Sequence, residues 1–154
     1  MELTIIIFLL GGLFLGWSLG ANDAANVFGT AVGTRMVQFK TAAIICSIFI
    51  ILGAVISGAG TTETIGKLGA INALPGAFAA CIAAGLSVYL MTKVGLPVST
   101  TQAIVGAIVG WNLYSGSPTN IKVLITILST WVLCPIIAGL ISMGLFIGTK
   151  KIIQ

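Results

Sequence analysis

The sequence predicts an all-α polytopic membrane protein. Hydrophobic residues make up 58% of the 154 residues and charged residues only 6%, which leaves too little polar surface to cover a water-soluble globule. The chain also has long stretches without any charged residue, and four of them exceed the roughly 20 residues that a membrane-spanning helix needs. These stretches are 41–62, 68–92, 94–121 and 123–149. Lipid is therefore the expected solvent for most of the chain.

Five helical segments are expected within one transmembrane domain that covers 1–154. Their predicted bounds are about 3–33, 41–59, 75–92, 98–114 and 121–148. Helices are favoured over barrel strands because the segments lack alternating polarity, and because a helix satisfies its own backbone groups in hydrocarbon. The amino terminus lacks the basic region and cleavage site of a secretory signal, so we expect the first segment to be retained.

The first segment contains the polar run Gly-Ala-Asn-Asp-Ala-Ala-Asn, which begins at Gly20. An ionised carboxylate such as that of Asp23 costs at least ~2.5–3.5 kcal/mol at the centre of a membrane helix. A bound cation would offset that cost, because Asn22, Asp23 and Asn26 offer oxygens at neighbouring helical positions. The glycines at 20 and 29 favour a broken helix with free carbonyls. The alternative is that these side chains only hydrogen-bond neighbouring helices.

The fourth segment opens with Gly-Leu-Pro-Val-Ser-Thr-Thr, residues 95–101. The proline is expected to stop one helix, so that Ser99, Thr100 and Thr101 begin the next. Free backbone N–H groups, the helix dipole and three hydroxyls would suit phosphate or sulfate there. The alternative is that Ser99 is only an N-cap. A cation-seeking broken helix together with an anion-seeking helix start indicates an ion-coupled anion symporter.

Both motifs resemble those of the inorganic phosphate transporter (PiT) family. The run from Gly20 to Gly33 resembles the family signature, and residues 95–101, followed by Ile-Val-Gly-Ala at 104–107, resemble its second characteristic stretch. The resemblance extends from about Gly12 through the helix that contains Trp131. It implies an inverted two-repeat fold and symport of inorganic phosphate with sodium or protons across the cytoplasmic membrane.

The resemblance also implies roles for individual residues. Cation ligands would be Asn22, Asp23 and Asn26, with sodium on the first two, and substrate ligands would be Asp23, Asn26, Ser99, Thr100 and Thr101. Many family members have histidine where this chain has Gln102, and the chain contains no histidine. Sodium is therefore favoured over protons, although Asp23 could accept a proton if burial raised its pKa.

The signature occurs once in this chain, whereas family members usually carry it twice. We therefore expect a single, N-terminal-type repeat that works as a homodimer, with a second half-transporter chain, or as a piece of a longer chain. The alternatives are a permease for sulfate or another oxyanion, and a scaffold or regulatory half-subunit that does not transport.

Topology follows from the requirement that fused inverted repeats cross the membrane an odd number of times. The hairpin formed by 75–92 and 98–114 must then either re-enter or cross with both arms. In both cases one side carries Arg35, Lys40, Lys150 and Lys151, and the other carries Lys67, Lys122, Glu2 and Glu63. The first side is expected to be cytoplasmic.

Several other residues and function classes can also be interpreted from the sequence. Lys93 beside the hairpin turn either attracts phosphate or extends to the membrane interface. Glycines four apart, such as Gly12, Gly16 and Gly20, are expected to pack against helices. The seven basic residues are scattered, which argues against nucleic-acid binding. No catalytic motif or cofactor loop is present in the sequence, so neither an enzyme nor a resident cofactor is expected.

Overall fold

A computed structural model describes residues 2–69 and 74–153, and within these ranges the chain forms five helices. Their bounds are α1 (Glu2–Gly33), α2 (Phe39–Gly66), α3 (Leu74–Lys93), α4 (Thr100–Ser115) and α5 (Ile121–Ile153). Of these, α1, α2, α3 and α5 are long and apolar enough to cross a membrane. The predicted all-helical membrane class is confirmed. The helices occupy the five predicted segments, with α2 and α5 several residues longer at their carboxyl ends.

The described residues divide into two compact units between Thr119 and Asn120. The second unit is α5, which Asn120 caps by accepting a hydrogen bond from the Val123 N–H at 3.2 Å. Pro135 lies inside α5, which continues through it. The expectation of one transmembrane domain over 1–154 stays a prediction.

In the first unit, α1 and α3 pack side by side and run in the same direction. The rings of Phe8 and Phe78 have centroids 5.6 Å apart, and those of Trp17 and Tyr89 are also 5.6 Å apart. Residue numbers therefore rise together along the two helices. The contact continues to Asn22 and Thr92 at the end of α3.

Helices α3 and α4 form the predicted hairpin, with α4 running back along α3. Near the end of α4, Trp111 packs on Gly76 at the start of α3, so that a Cβ there would lie 2.7 Å from the indole Nε1. Small and branched apolar side chains fill the space between the arms; those buried are Ala80, Ala84, Val88, Val105 and Ile108. Gly95 in the turn has φ +75°, a left-handed conformation that favours glycine.

The hairpin turn lies beside the interior of α1 rather than beside its end. Val98 in the turn contacts Asn22, and residues 23–33 continue α1 beyond that point by about 16 Å at about 1.5 Å per residue. Helix α4 has 16 residues and is about 24 Å long, less than the roughly 30 Å hydrocarbon core. Its length does not require it to cross the membrane.

The prediction that the first helix is broken is wrong, because α1 is continuous from Glu2 to Gly33. The glycines at 20 and 29 permit unwinding, but no proline in α1 removes a backbone donor. The polar side chain of Asn22 finds its partners in the hairpin turn, so burying it does not require α1 to open.

The glycines of α1 that approach α3 are not those that the spacing suggested. A Cβ added at Gly12, Gly16 or Gly20 would meet no atom within 4 Å, whereas one at Gly11 would lie 2.8 Å from the Phe78 ring. The face of α1 that packs on α3 carries residues 11, 15, 18 and 22, which recur at helical spacing. The predicted glycine stripe lies one residue, or about 100°, around the helix from this face.

Candidate functional site

The two polar motifs meet at Asn22, which is 3% exposed. Its Nδ2 donates to the Val98 carbonyl at 2.7 Å and to Asp23 Oδ1 at 2.9 Å. Its Oδ1 accepts from the Val98 N–H at 3.4 Å and lies 3.4 Å from Thr92 Oγ1, whose one proton has a closer acceptor in the Val88 carbonyl at 2.8 Å. One amide therefore fixes the hairpin turn to α1 across 76 residues of sequence.

A second contact joins the acidic residue to the start of α4. The hydroxyl of Thr100 donates to Asp23 Oδ1 at 3.4 Å. Thr100 is 7% exposed, whereas Asp23 is half-buried. The Asp23 carboxylate thus borders the amino-terminal end of a helix and retains acceptor positions on its open side.

Ser99 is the N-cap of α4, the role that the sequence offered as an alternative to anion binding. Its Oγ accepts from the Gln102 N–H at 3.3 Å, and its carbonyl accepts from the Ala103 N–H at 3.1 Å. Among the described residues, the N–H groups of Thr100 and Thr101 have no acceptor. Capping therefore leaves two donors at the positive end of the helix dipole, and the capping and anion-binding roles are compatible.

The structure brings Asn22, Asp23 and Thr100 together, but it leaves other predicted site residues apart from that cluster. The side chains of Asn26 and Thr101 are exposed and make no hydrogen bond within the described part of the chain. Ser99 is also exposed, beyond its capping bond. Residues 2–69 and 74–153 contain no group of three His, Cys, Asp or Glu suited to a metal. The oxygens beside Asp23 belong instead to amides, hydroxyls and the backbone.

Two cavities adjoin this cluster. One of about 370 Å³ lies between the arms of the hairpin, beside Pro97, Ser99 and Gln102. The other, of about 280 Å³, lies between α1 and α3. Sequence reasoning missed two hydroxyl residues of the second cavity, Ser18 and Thr92, because hydroxyl side chains in apolar helices usually bond to their own backbone.

Residues 19–154 match the phosphate transporter family. A Haemophilus influenzae protein described as "Putative phosphate permease" is 34% identical over 92% of this chain, and a similarly described Pyrococcus furiosus protein is 36% identical over 96%. A solved structure described as "The sodium-dependent phosphate transporter" is 35% identical over 92% of this chain, with a TM-score of 0.83. The chain spans 36–38% of the length of these three proteins.

Proposed function

We propose that this chain, which belongs to the phosphate transporter family, is one repeat of a sodium-coupled symporter of inorganic phosphate. The family is one of transporters, not enzymes, and its members are multi-pass membrane proteins. The observation that carries the proposal is the contact of Asp23 in α1 with Thr100 at the start of α4.

The contact joins groups that prefer ions of opposite charge. On the α1 side, the Asp23 carboxylate and the exposed Asn26 amide, one turn away, offer the oxygens that a sodium ion takes. On the α4 side, the free N–H groups of Thr100 and Thr101 and the Ser99 hydroxyl offer the donors that a phosphate takes. Sodium and phosphate bound side by side would each stabilise the other, which is the physical basis of coupled transport.

Asn22 has a different part in this arrangement from the one that the family resemblance implies. Its Nδ2 faces two acceptors, and its Oδ1 accepts from the Val98 N–H and lies 3.4 Å from the Thr92 hydroxyl. We propose that Asn22 mainly positions the hairpin turn against Asp23, and that sodium draws its oxygens from Asp23, Asn26 and nearby carbonyls.

We further propose that the hairpin re-enters the membrane and that α1, α2 and α5 are the three crossings. The turn of the hairpin beside the interior of α1 and the short α4 both support this topology. Three crossings satisfy the odd number that an inverted repeat requires. The ion-binding cluster then lies within the bilayer, where broken or re-entrant elements of transporters bind their substrates.

A partner repeat is needed to complete the site. Asn26, Ser99 and Thr101 are exposed at a depth where polar groups must face protein or a water-filled cavity. The chain also spans under two fifths of its relatives. We propose that a second repeat covers this side, whether it belongs to a second copy of this chain, to another half-transporter or to a longer form of the same chain.

Uptake of radiolabelled phosphate into proteoliposomes tests the proposal, with and without an inward sodium gradient. Asp23→Asn should abolish sodium-dependent uptake, whereas Glu63→Gln, a matched change of an exposed carboxylate, should preserve it. If excess unlabelled sulfate suppresses the uptake as strongly as excess unlabelled phosphate, a general oxyanion permease is favoured instead. Absence of uptake by folded wild-type chain, alone and with co-purified partners, would favour a scaffold subunit.

A further inference from the structure

We propose that Gln102 makes the start of α4 selective for an oxyanion that carries a hydroxyl, such as hydrogenphosphate, over sulfate. This role rests on the proposed function, in which the anion binds at the start of α4. Gln102 lies in the first turn of that helix, and its exposed side chain lines the cavity of about 370 Å³ between the arms of the hairpin.

Ser99 and Gln102 have the spacing of a capping box, in which each side chain accepts from the other residue's backbone N–H. The structure forms one of these two bonds, since the Ser99 Oγ accepts from the Gln102 N–H at 3.3 Å. Within the described residues, the Gln102 amide makes no hydrogen bond and the Ser99 N–H has no acceptor. The side chain of Gln102 is therefore available to a ligand.

The open half of the capping box adds a donor to the start of α4. The N–H groups of Ser99, Thr100 and Thr101 have no acceptor within 2–69 and 74–153. The Ser99 hydroxyl also keeps its proton, because its Oγ acts as an acceptor towards Gln102. Donors of this kind would bind sulfate as well as phosphate. Selection between the two requires an acceptor, and the Asp23 carboxylate is assigned to sodium in the proposed function.

The Gln102 amide is within reach of an anion at these donors. In a complete capping box, a glutamine at the third helical position extends back to the N–H of the N-cap residue. Helical side chains in general lean towards the amino-terminal turn, which favours the same direction. The cavity beside Pro97 and Ser99 leaves the side chain room to turn. An anion bound at the Ser99 N–H would thus lie where the amide can contact it.

The amide offers both kinds of hydrogen-bonding group and carries no charge. Its Nε2 can donate to an oxygen of either anion, whereas its Oε1 can only accept. Hydrogenphosphate has a P–OH that donates to such an acceptor, and sulfate at neutral pH has no proton to donate. Sulfate would leave the Oε1 facing an anionic oxygen. Sites that bind a hydroxyl through a hydrogen bond reject analogues that lack it.

Equilibrium dialysis of the full chain tests this role. The chain is purified in maltoside micelles with any partner that co-purifies, and the Kd values of phosphate, arsenate and sulfate are measured in sodium buffer. The buffer is mildly alkaline, so that phosphate and arsenate are mainly dianions like sulfate but carry a hydroxyl. The wild-type chain should bind phosphate and arsenate at least about tenfold more tightly than sulfate.

Three substitutions separate selectivity from affinity. Gln102→Met removes the amide at similar side-chain length, and should raise the Kd of phosphate and arsenate by about tenfold and that of sulfate much less. Gln102→Glu keeps an acceptor but adds a negative charge, so it should weaken all three anions while phosphate stays preferred over sulfate. Gln38→Met is the matched control and should change no Kd, because Gln38 is the exposed N-cap of α2 and makes no side-chain cap bond.

The outcomes separate this role from the proposed function. Phosphate binding that Gln102→Met leaves unchanged, or weakens by the same factor as sulfate binding, would overturn the role of Gln102 and leave the symporter standing. Loss of the preference in Gln102→Glu as well would overturn it too, because the acceptor would not be responsible. If the folded wild-type chain binds none of the anions, both Gln102 and the anion site of the proposed function are excluded. Selective binding that is the same in choline as in sodium would support Gln102 and count against coupling to sodium.

Discussion

The hydrogen bonds of Asn22 give the most specific prediction about how the hairpin is held. Asn22→Ala removes two short bonds, at 2.7 Å to the Val98 carbonyl and at 2.9 Å to Asp23 Oδ1, and two longer contacts at 3.4 Å. Net contributions are about 0.5–1.5 kcal/mol per bond in proteins and average about 0.6 kcal/mol between membrane helices. We therefore expect the free energy of unfolding to fall by about 2–3 kcal/mol.

Unfolding of the purified chain by SDS in mixed micelles measures this loss, and hydrogen exchange of residues 94–99 locates it. Because the Val98 N–H loses its acceptor, exchange in the turn should accelerate by about 30-fold for a 2 kcal/mol change. Asn26→Ala is the matched control, since Asn26 lies one turn further along α1 and its exposed side chain makes no described hydrogen bond. Equal destabilisation by the two substitutions, or unchanged exchange in the turn, would show that Asn22 does not hold the turn against α1.

Three further predictions concern packing, capping and charge. Gly85→Ala places a Cβ 2.7 Å from an aromatic ring of α1 and should lower the free energy of unfolding by about 1–3 kcal/mol. Gly110→Ala places its Cβ in open space and should not destabilise the chain, and SDS unfolding compares the two variants. Ser99→Asp should retain the N-cap and the stability of the chain, but binding titrations should show weaker phosphate binding because of charge repulsion. Ser99→Ala removes the cap and should lower the free energy of unfolding by about 1 kcal/mol. The ammonium of Lys67 lowers the pKa of Glu63, so stability from this pair is present above the ordinary carboxyl pKa and is lost as pH falls through the lowered value. An acid titration followed by helicity should show this loss of stability in the wild-type chain and not in Glu63→Gln.

The sequence was sufficient to predict the helical class and the hairpin, and to offer the Ser99 cap as an alternative, because each follows from a local pattern. Apolar length predicts the helices, and Pro97 followed by serine and threonine predicts a stop and a capped start. The presence of both motifs indicated an ion-coupled anion symporter, but not which residues would touch. The contact between Asp23 and Thr100 is known only from the structure.

The state of α1 could not be predicted, because it depends on a contact 76 residues away. Asn22 and the glycine at 20 fit a broken helix as well as a continuous one. The structure decides between the two, because Val98 satisfies the amide of Asn22. Thr92 and Ser18 were missed for the same reason, since each is an ordinary helical hydroxyl whose significance arises from the neighbouring helix. The glycine stripe was misassigned because spacing gives the period of a packing face and not its direction around the helix.

The dependence of phosphate affinity on sodium tests the central claim most directly, because it needs the Asp23–Thr100 cluster and not a complete transport cycle. The phosphate Kd of the chain is measured in sodium and in choline at equal ionic strength, and the sodium Kd with and without phosphate. Each ion should lower the Kd of the other by the same factor, about 5–150-fold, and Asp23→Asn should abolish the effect. A phosphate Kd that is independent of sodium in the wild-type chain would contradict the claim.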